Sequence, residues 1–271
     1  MTGEGPTGGR KRERLDRLLV ERGHAKSRER AQALVLAGRV RVDGRPAGKP
    51  GMTVATEAAL EVTQPDHPFV GRGGVKLEGA LTRLGLDPSG RTAIDVGAST
   101  GGFTDCLLRR GARRVLALDV GSGQLDWSLR NDPRVTVLEG INARHLKAGD
   151  LPETPGLAVV DVSFISLRLI LPALAPLLAP GADVVALVKP QFEVGRGEVG
   201  PGGIVRDAAL HRSAVLRVAR EAARIGCQVV GGCPSPIAGA EGNREFFLHL
   251  RTGAAAAAPD LDALVGGIVD G

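Results

Sequence analysis

Residues 95–103 read DVGASTGGF, and the apolar stretch TAIDV over 92–96 runs straight into them. A short apolar strand that ends in an acid and breaks into glycines opens a strand–loop–helix unit, with the helix expected over 102–110. Outward from this point the chain repeats the same rhythm. Further strands are expected over 114–119, 135–138, 157–161, 183–188, 228–232 and 245–250, with helices over 72–84, 165–178 and 207–225. Alternation of this kind implies an α/β domain whose mostly parallel sheet is covered on both faces. Ligands of such sheets bind at the carboxyl ends of the strands, which is where the loop lies.

Gly97, Gly101 and Gly102 permit tight turning and close backbone approach, and with Ala98, Ser99 and Phe103 they form a candidate cradle. A dinucleotide or phosphate site uses similar glycines. Asp95, however, suits a cationic amino group and not a pyrophosphate, and the Lys-Ser/Thr ending of a phosphate-binding loop is missing. The second strand ends in Asp119, placed to accept hydrogen bonds from a ribose diol. Asn142 follows the third and is a candidate for approaching an adenine, or equally a turn former. An acid-Gly-x-x-x-Gly loop followed by a strand-end acid resembles the S-adenosylmethionine-dependent methyltransferases. The resemblance implies a Rossmann-like, seven-stranded domain with S-adenosylmethionine as cofactor.

Four charged residues stand out as candidates for chemistry. Asp161 ends the fourth strand inside residues 161–167 (DVSFISL), and Lys189 ends the fifth inside residues 189–193 (KPQFE). Glu245 opens the last strand, and Lys76 lies near the start of the entering helix. Methyl transfer from a sulfonium to an alcohol is an in-line displacement on a poorly acidic hydroxyl. It needs groups that orient the hydroxyl and accept its proton. An ordinary lysine is a poor base at neutral pH, so Lys189 is open to two roles, base or orienting group. The plain alternative for each of the four is a surface ion pair.

The front of the chain is different. Residues 1–50 hold thirteen Lys/Arg and six Asp/Glu, a net +7 in a chain whose total is +5. A basic module joined to a near-neutral one suggests a polyanion grip beside a working domain. Leu15, Leu18 and Leu19 share one helical face over 14–23. Ser27 caps a second helix striped by Ala31, Leu34 and Val35. Asp43-Gly44 is a hairpin signal after a strand over 39–42, and another strand over 59–63 closes the unit. This small α+β pattern resembles the RNA-binding domain first known from a ribosomal small-subunit protein. The residues that carry the likeness are Arg14-Leu15-Asp16, Ser27-Arg28, Ala31, Gly38 and residues 40–44 (VRVDG). The resemblance implies phosphate contacts from Arg12, Arg14, Lys26, Arg28 and Lys49.

Taken with residues 72–77 (RGGVKL), 95–105, 202–207 (GGIVRD) and 242–245 (GNRE), the whole stretch from about 14 to 252 resembles the TlyA family. That family combines a ribosomal-protein S-four-type RNA-binding domain with an FtsJ-like methyltransferase. The resemblance implies 2′-O-methylation of cytidine ribose in rRNA, in 16S and 23S or in 23S alone. It also implies a catalytic tetrad on Lys76, Asp161, Lys189 and Glu245. Gly71 departs from the Ser of many relatives. The domain reading is a disordered tail over 1–9, the small domain over 10–63, a linker over 64–71 and the methyltransferase over 72–252. An Ala-rich linker and a short terminal helix follow over 253–271. Basic residues before Arg14 and that terminal helix resemble the longer variant of the family, which acts on both ribosomal subunits.

Composition excludes several alternatives. No apolar run approaches the roughly 20 residues of a membrane span, and no signal segment opens the chain, so a cytoplasmic protein is expected. Cys106, Cys227 and Cys233 are an odd set without paired spacing, and His145, His211 and His249 lack metal-ligand spacing; no metal is expected. With aromatics at 3% and no Tyr, a base-stacking platform is poorly supplied. Phe164, Phe192 and Trp127 are the candidates. Phosphate and ribose contacts should then carry most of the affinity and make it salt-dependent. The rival readings are an RNA-binding assembly factor with an inert methyltransferase domain, and a haemolysin, the historical label of the family.

Overall fold

Leu15, Leu18 and Leu19, spaced to share one helical face, are all buried in the core of a small N-terminal unit. The computed structural model describes residues 11–25, 27–63, 67–239, 242–253 and 260–271. The tail over 1–9, Lys26 and the Ala-rich run over 254–258 lie outside the described residues. The chain divides into two compact units, one ending at Pro68 and the other beginning at Phe69.

The small unit runs β1 (Arg12–Arg14), α1 (Leu15–Glu21), α2 (Arg28–Leu36), β2 (Val40–Val42), β3 (Arg45–Pro46), β4 (Thr53–Ala55) and β5 (Leu60–Val62). Ser27 caps α2 by accepting the Arg30 N–H at 3.2 Å. Asp43 and Gly44 sit at φ 49° and 74°, the two left-handed positions of a type I′ turn between β2 and β3. Two strands were not legible in the sequence. Arg14 falls in β1 instead of a helix, because Arg12, Glu13 and Arg14 pair antiparallel with Ala55, Val54 and Thr53 of β4. Three-residue strands paired across forty positions leave no local periodicity.

The large unit runs α3 (Arg72–Leu84), β6 (Thr92–Val96), α4 (Gly102–Arg109), β7 (Arg114–Asp119), α5 (Trp127–Arg130) and β8 (Val135–Glu139). It continues with β9 (Leu157–Val160), α6 (Leu167–Leu174), β10 (Asp183–Val188), α7 (Pro190–Glu193), α8 (Ala208–Arg224), β11 (Gln228–Pro234), β12 (Phe246–Arg251) and α9 (Leu261–Asp270). Seven strands form one Rossmann-like sheet in the order β11-β12-β10-β9-β6-β7-β8, parallel except that β12 runs antiparallel to both neighbours. Side chains alternate between two cores as the pleat demands. On β10, Val184, Ala186 and Val188 pack towards α6, α8 and α9, while Val185 and Leu187 pack towards α3 and α4.

Two boundaries differ in ways with a clear physical cause. The helix expected over 165–178 ends at Leu174 and gives way to a 3₁₀ turn over Ala175–Leu177, because Pro176 has no N–H to continue it. The linker expected over 64–71 is shorter at its far end. Phe69 is buried against Gly74, and the Val70 N–H donates to Asp105 Oδ2 at 2.9 Å, so both belong to the large unit. The terminal helix α9 packs Val265, Ile268 and Val269 into the main core.

At the sheet end away from the glycine loop, Asp183 accepts from Arg91 at 2.9 Å, His249 at 2.8 Å and Arg251 at 3.1 Å. Burial pushes its carboxyl up, but these three partners together hold it below the usual range. A lowered folded-state value stabilises the protein above the unfolded pKa of about 3.9 and is lost as pH falls through the folded value. Asp183→Ala should cost about 3 kcal/mol at neutral pH. The gap from wild type in urea denaturation should close below about pH 4.

Candidate active site

The turn after β6 is built from positions where only hydrogen fits. Gly97 and Gly101 have φ of 89° and 94°, a region costly for L side chains. A Cβ at Gly97 would lie 2.4 Å from the Asp161 carbonyl oxygen, and one at Gly102 would lie 2.9 Å from the Gly74 nitrogen. The loop is thereby pressed against β9 on one side and α3 on the other. A cavity opens beside it, lined by Gly73, Gly97, Ala98, Ser99, Thr100, Gly102, Phe103 and Asp161. A second one adjoins it at Ala98 and Ser99 and is lined further by Ala117, Asp119, Gly121, Gln124, Leu125, Val137 and Glu139.

Asp119 stands in this second cavity, its two oxygens accepting the N–H groups of Ser99 at 2.8 Å and Gly121 at 2.7 Å. Asp95 is placed differently from expectation. It lines neither cavity and is fully buried, with Oδ2 accepting from the Thr104 hydroxyl at 2.7 Å. Its Oδ1 is buried without a hydrogen-bond partner among the described residues. Burial raises its carboxyl to about 7, with Thr104 opposing and the charges of Asp161 and Asp119 adding to the rise. Asn142 takes the turn-forming role of its two expected alternatives. It lies outside both cavities, and its side-chain oxygen caps a 3₁₀ turn by accepting the Arg144 N–H at 3.0 Å.

Three of the four chemistry candidates come together through strand register, and α3 brings the fourth. Val160 of β9 pairs with Ala186 of β10, and Val188 of β10 pairs with Phe246 of β12. Asp161, Lys189 and Glu245 therefore leave three neighbouring strands at one edge, on backbones about 4.8 Å apart. Lys189 Nζ lies 2.6 Å from Asp161 Oδ1, and Lys76 Nζ lies 2.6 Å from Glu245 Oε2. Both lysine side chains are about nine-tenths covered, with 11% exposed. Lys76 follows Gly73 by one helical turn on α3, so the helix wall that lines the cavity also delivers an ammonium group. The arrangement sets two cations and two anions beside the loop.

Several supporting residues carried no signal that the sequence could separate from background. Lys189 also donates to Ser163 Oγ at 2.9 Å, so its ammonium is held by one hydrogen bond as well as by the ion pair with Asp161. Glu193 is buried and accepts from Ser166 Oγ at 2.5 Å and the Leu167 N–H at 2.7 Å. It thereby ties the loop after β9 to the segment after Lys189. Burial pushes the Glu193 carboxyl up, against those hydrogen bonds. Buried Asn243 joins two distant motifs, accepting from the Val205 N–H and donating to the Gly203 carbonyl, each at 2.9 Å. Phe164 stands at φ 63° with 92% of its surface exposed, its ring 5.2 Å from that of Phe192. Trp127 is also exposed.

In the small unit, Arg12 donates to the Thr53 carbonyl at 2.7 Å, and Lys49 is exposed. Arg14 and Arg28 are both ion-paired with buried Asp16. They are not the free surface charges that their composition suggests.

Comparison with known proteins accords with this architecture. Residues 69–252 match the FtsJ-like methyltransferase family, and residues 13–60 match the S4 domain. The chain is 53% identical, over 89% of its length and 91% of the relative's, to the Mycobacterium tuberculosis 16S/23S rRNA (cytidine-2′-O)-methyltransferase TlyA. It belongs to the TlyA family of FtsJ-like methyltransferases. Brachyspira hyodysenteriae Hemolysin A is 41% identical over 87% of this chain and 98% of its own. A solved Streptococcus thermophilus structure described as a hemolysin superposes with a TM-score of 0.74 at 42% identity, covering 97% of this chain and 96% of that one. Among the described residues, no helix is long and apolar enough to cross a membrane, and no cluster of metal-ligating side chains occurs.

The state of Asp95 is testable in the TlyA-family fold without ligand. An acid whose folded value is raised favours the protonated native state, so its contribution to stability falls as pH rises from about 4 to 7. Asp95→Asn removes that dependence. In thermal denaturation of ligand-free protein, the variant should gain on wild type by up to about 4 kcal/mol between acidic and mildly alkaline pH.

Proposed function

We propose that this chain transfers a methyl group from S-adenosylmethionine to the ribose 2′-hydroxyl of cytidines in rRNA, within ribosomal subunits in the cytoplasm. The observation that carries the reading is the pair of buried Lys–carboxylate contacts at one sheet edge, beside the glycine-loop cavity. The residues present fit the cofactor. Asp119 offers its carboxylate to a ribose diol, and Asp161 sets a negative charge at the loop cavity, suited to a cationic ligand. Gly97, Ala98, Ser99, Gly101, Gly102 and Phe103 shape the wall between them. When bound, the cofactor supplies an electrophilic methyl group on a sulfonium.

The protein's part is orientation and charge. Lys189, ion-paired with Asp161 and donating one N–H to Ser163, has donor capacity left to hold the substrate hydroxyl. Glu245 keeps Lys76 in place, and Lys76 adds positive charge where the hydroxyl oxygen becomes negative. Both ammonium groups are held by short, partly desolvated contacts, so little reorganisation accompanies the reaction. As the methyl group moves from sulfur to oxygen, the hydroxyl proton passes to the Asp161 carboxylate, since an ammonium group has no lone pair to accept it. Exposed Phe164, on the loop between Asp161 and the start of α6, is presented for stacking a target base. The small unit grips RNA phosphates through Arg12, Arg14, Arg28 and Lys49. The packed helix α9 and the basic Lys11 and Arg12 favour action on both ribosomal subunits, as in the relative named for 16S and 23S rRNA.

Lys189→Ala should lower methyl transfer to rRNA by about a hundredfold to ten-thousandfold, with cofactor binding by calorimetry retained. Wild-type turnover in that variant would defeat the assignment. Phe164→Ala should lower kcat/KM for rRNA by roughly tenfold, the worth of one lost base stack, in steady-state methylation assays with tritiated cofactor. Mapping 2′-O-methyl positions in rRNA from cells lacking the gene identifies the target nucleotides.

A further inference from the structure

Asp16, in the first turn of α1, has no exposed side-chain surface. It accepts four hydrogen bonds. Arg14 approaches it through Nε at 3.0 Å and Nη2 at 2.8 Å, Arg28 through Nε at 3.0 Å, and Gln32 through Nε2 at 2.9 Å. These partners come from β1 and from α2, so one carboxylate collects side chains from separate elements. Arg14 is confined further, because its guanidinium lies over Gly51, where a Cβ would stand 3.0 Å from Nη2. The backbone beside it is tied as well, the Asp16 N–H donating to the Pro50 carbonyl at 3.1 Å.

The geometry leaves part of both forks open to solvent. Arg14 and Arg28 retain 43% and 49% of their side-chain surface, and among the described residues neither terminal nitrogen of Arg28 has a partner. Both guanidinium groups bond the same oxygen, Oδ2, so they stand within reach of two hydrogen bonds from one another. Two cations that close repel unless an anion is shared between them. A buried carboxylate supplies that anion from below while the upper faces stay open to solvent.

We propose that Asp16 is a positioning residue of the RNA grip, locking Arg14 and Arg28 into one preformed site for RNA phosphate oxygens. The proposal rests on the small unit's reading as the RNA-binding module. Immobilising a long side chain on binding costs conformational entropy, and Asp16 meets that cost for two arginines during folding. Charge counting predicts the opposite role. Residues 1–50 carry a net +7, and removing an acid from so basic a module should tighten RNA binding.

Asp16→Asn separates the two views. It keeps the size of the side chain and raises the positive charge of the module. Binding of the full chain to a labelled RNA stem–loop is followed by fluorescence anisotropy across a salt series. Expected is an affinity about tenfold weaker than wild type at moderate salt. Unchanged or tighter binding by the folded variant overturns the inference. Circular dichroism reports whether the variant folds. Should it not fold, Arg14→Lys and Arg28→Lys decide the matter, since each keeps its charge but loses its fork. A weakening of several-fold in each supports a preset fork pair, and wild-type affinity in both overturns it. In the folded case the Asp16→Asn and Arg28→Lys effects should be less than additive, because both release the same side chain. A wild-type chain that fails to bind RNA defeats the module's RNA-binding reading and this inference together; binding by wild type with no response to Asp16→Asn defeats the inference alone.

Discussion

The Cα of Gly97 lies so close to the carbonyl of Asp161 that a methyl group there would occupy the same space. This contact joins the end of β6 to the end of β9, neighbouring strands whose last paired residues are Val96 and Val160. Because the loop turns away at that point, the cavity opens alongside Asp161 and not above the barrier of a side chain. Asp161 then takes Lys189 from the next strand. Everything proposed for the chemistry follows from this tight junction of a turning loop and a strand end.

The charged edge is costly in isolation. Separated from their partners, buried lysines and carboxylates lose solvation that no single contact restores. Here each lysine meets a carboxylate at 2.6 Å, so the charges arrive as neutral pairs. Glu193 and Asn243 do related work one layer further out. Each is a buried polar side chain that satisfies backbone N–H groups of a neighbouring loop. Short motifs such as 189–193 and 242–245 therefore contain both a charged member of the two ion pairs and the residue that anchors the loop beside it. The same logic governs the small unit, where buried Asp16 orders arginines that its surface would otherwise leave mobile.

Much of the fold was legible because pattern and burial coincide in parallel strands. The runs at 92–96, 114–119 and 183–188 are strands with those same bounds, since both faces of each are covered and, Asp95 apart, every residue is apolar or terminal. Antiparallel β12 was readable as a strand but not in its direction, which depends on how the chain returns after α8. The short strands β1 and β4 escaped notice because their pairing is long-range. Asp95 was misread as a ligand-facing acid; its position after apolar residues is equally that of a buried strand residue hydrogen-bonded to Thr104.

Residue types and spacing alone determined the α/β alternation, the glycine turn after an acid-bearing strand, the basic front module and the identity of the four charged candidates. Only the tertiary structure decided which lysine meets which acid, that Ser163 shares Lys189, and that Asp16 gathers Arg14 and Arg28. The reason is one of distance along the chain. A turn or a helix face is written within a few residues, whereas Lys76 and Glu245 stand 169 positions apart. They meet because α3 packs on the sheet face, Leu77, Ala80 and Leu81 sharing one core with Phe247 of β12, the strand that Glu245 precedes.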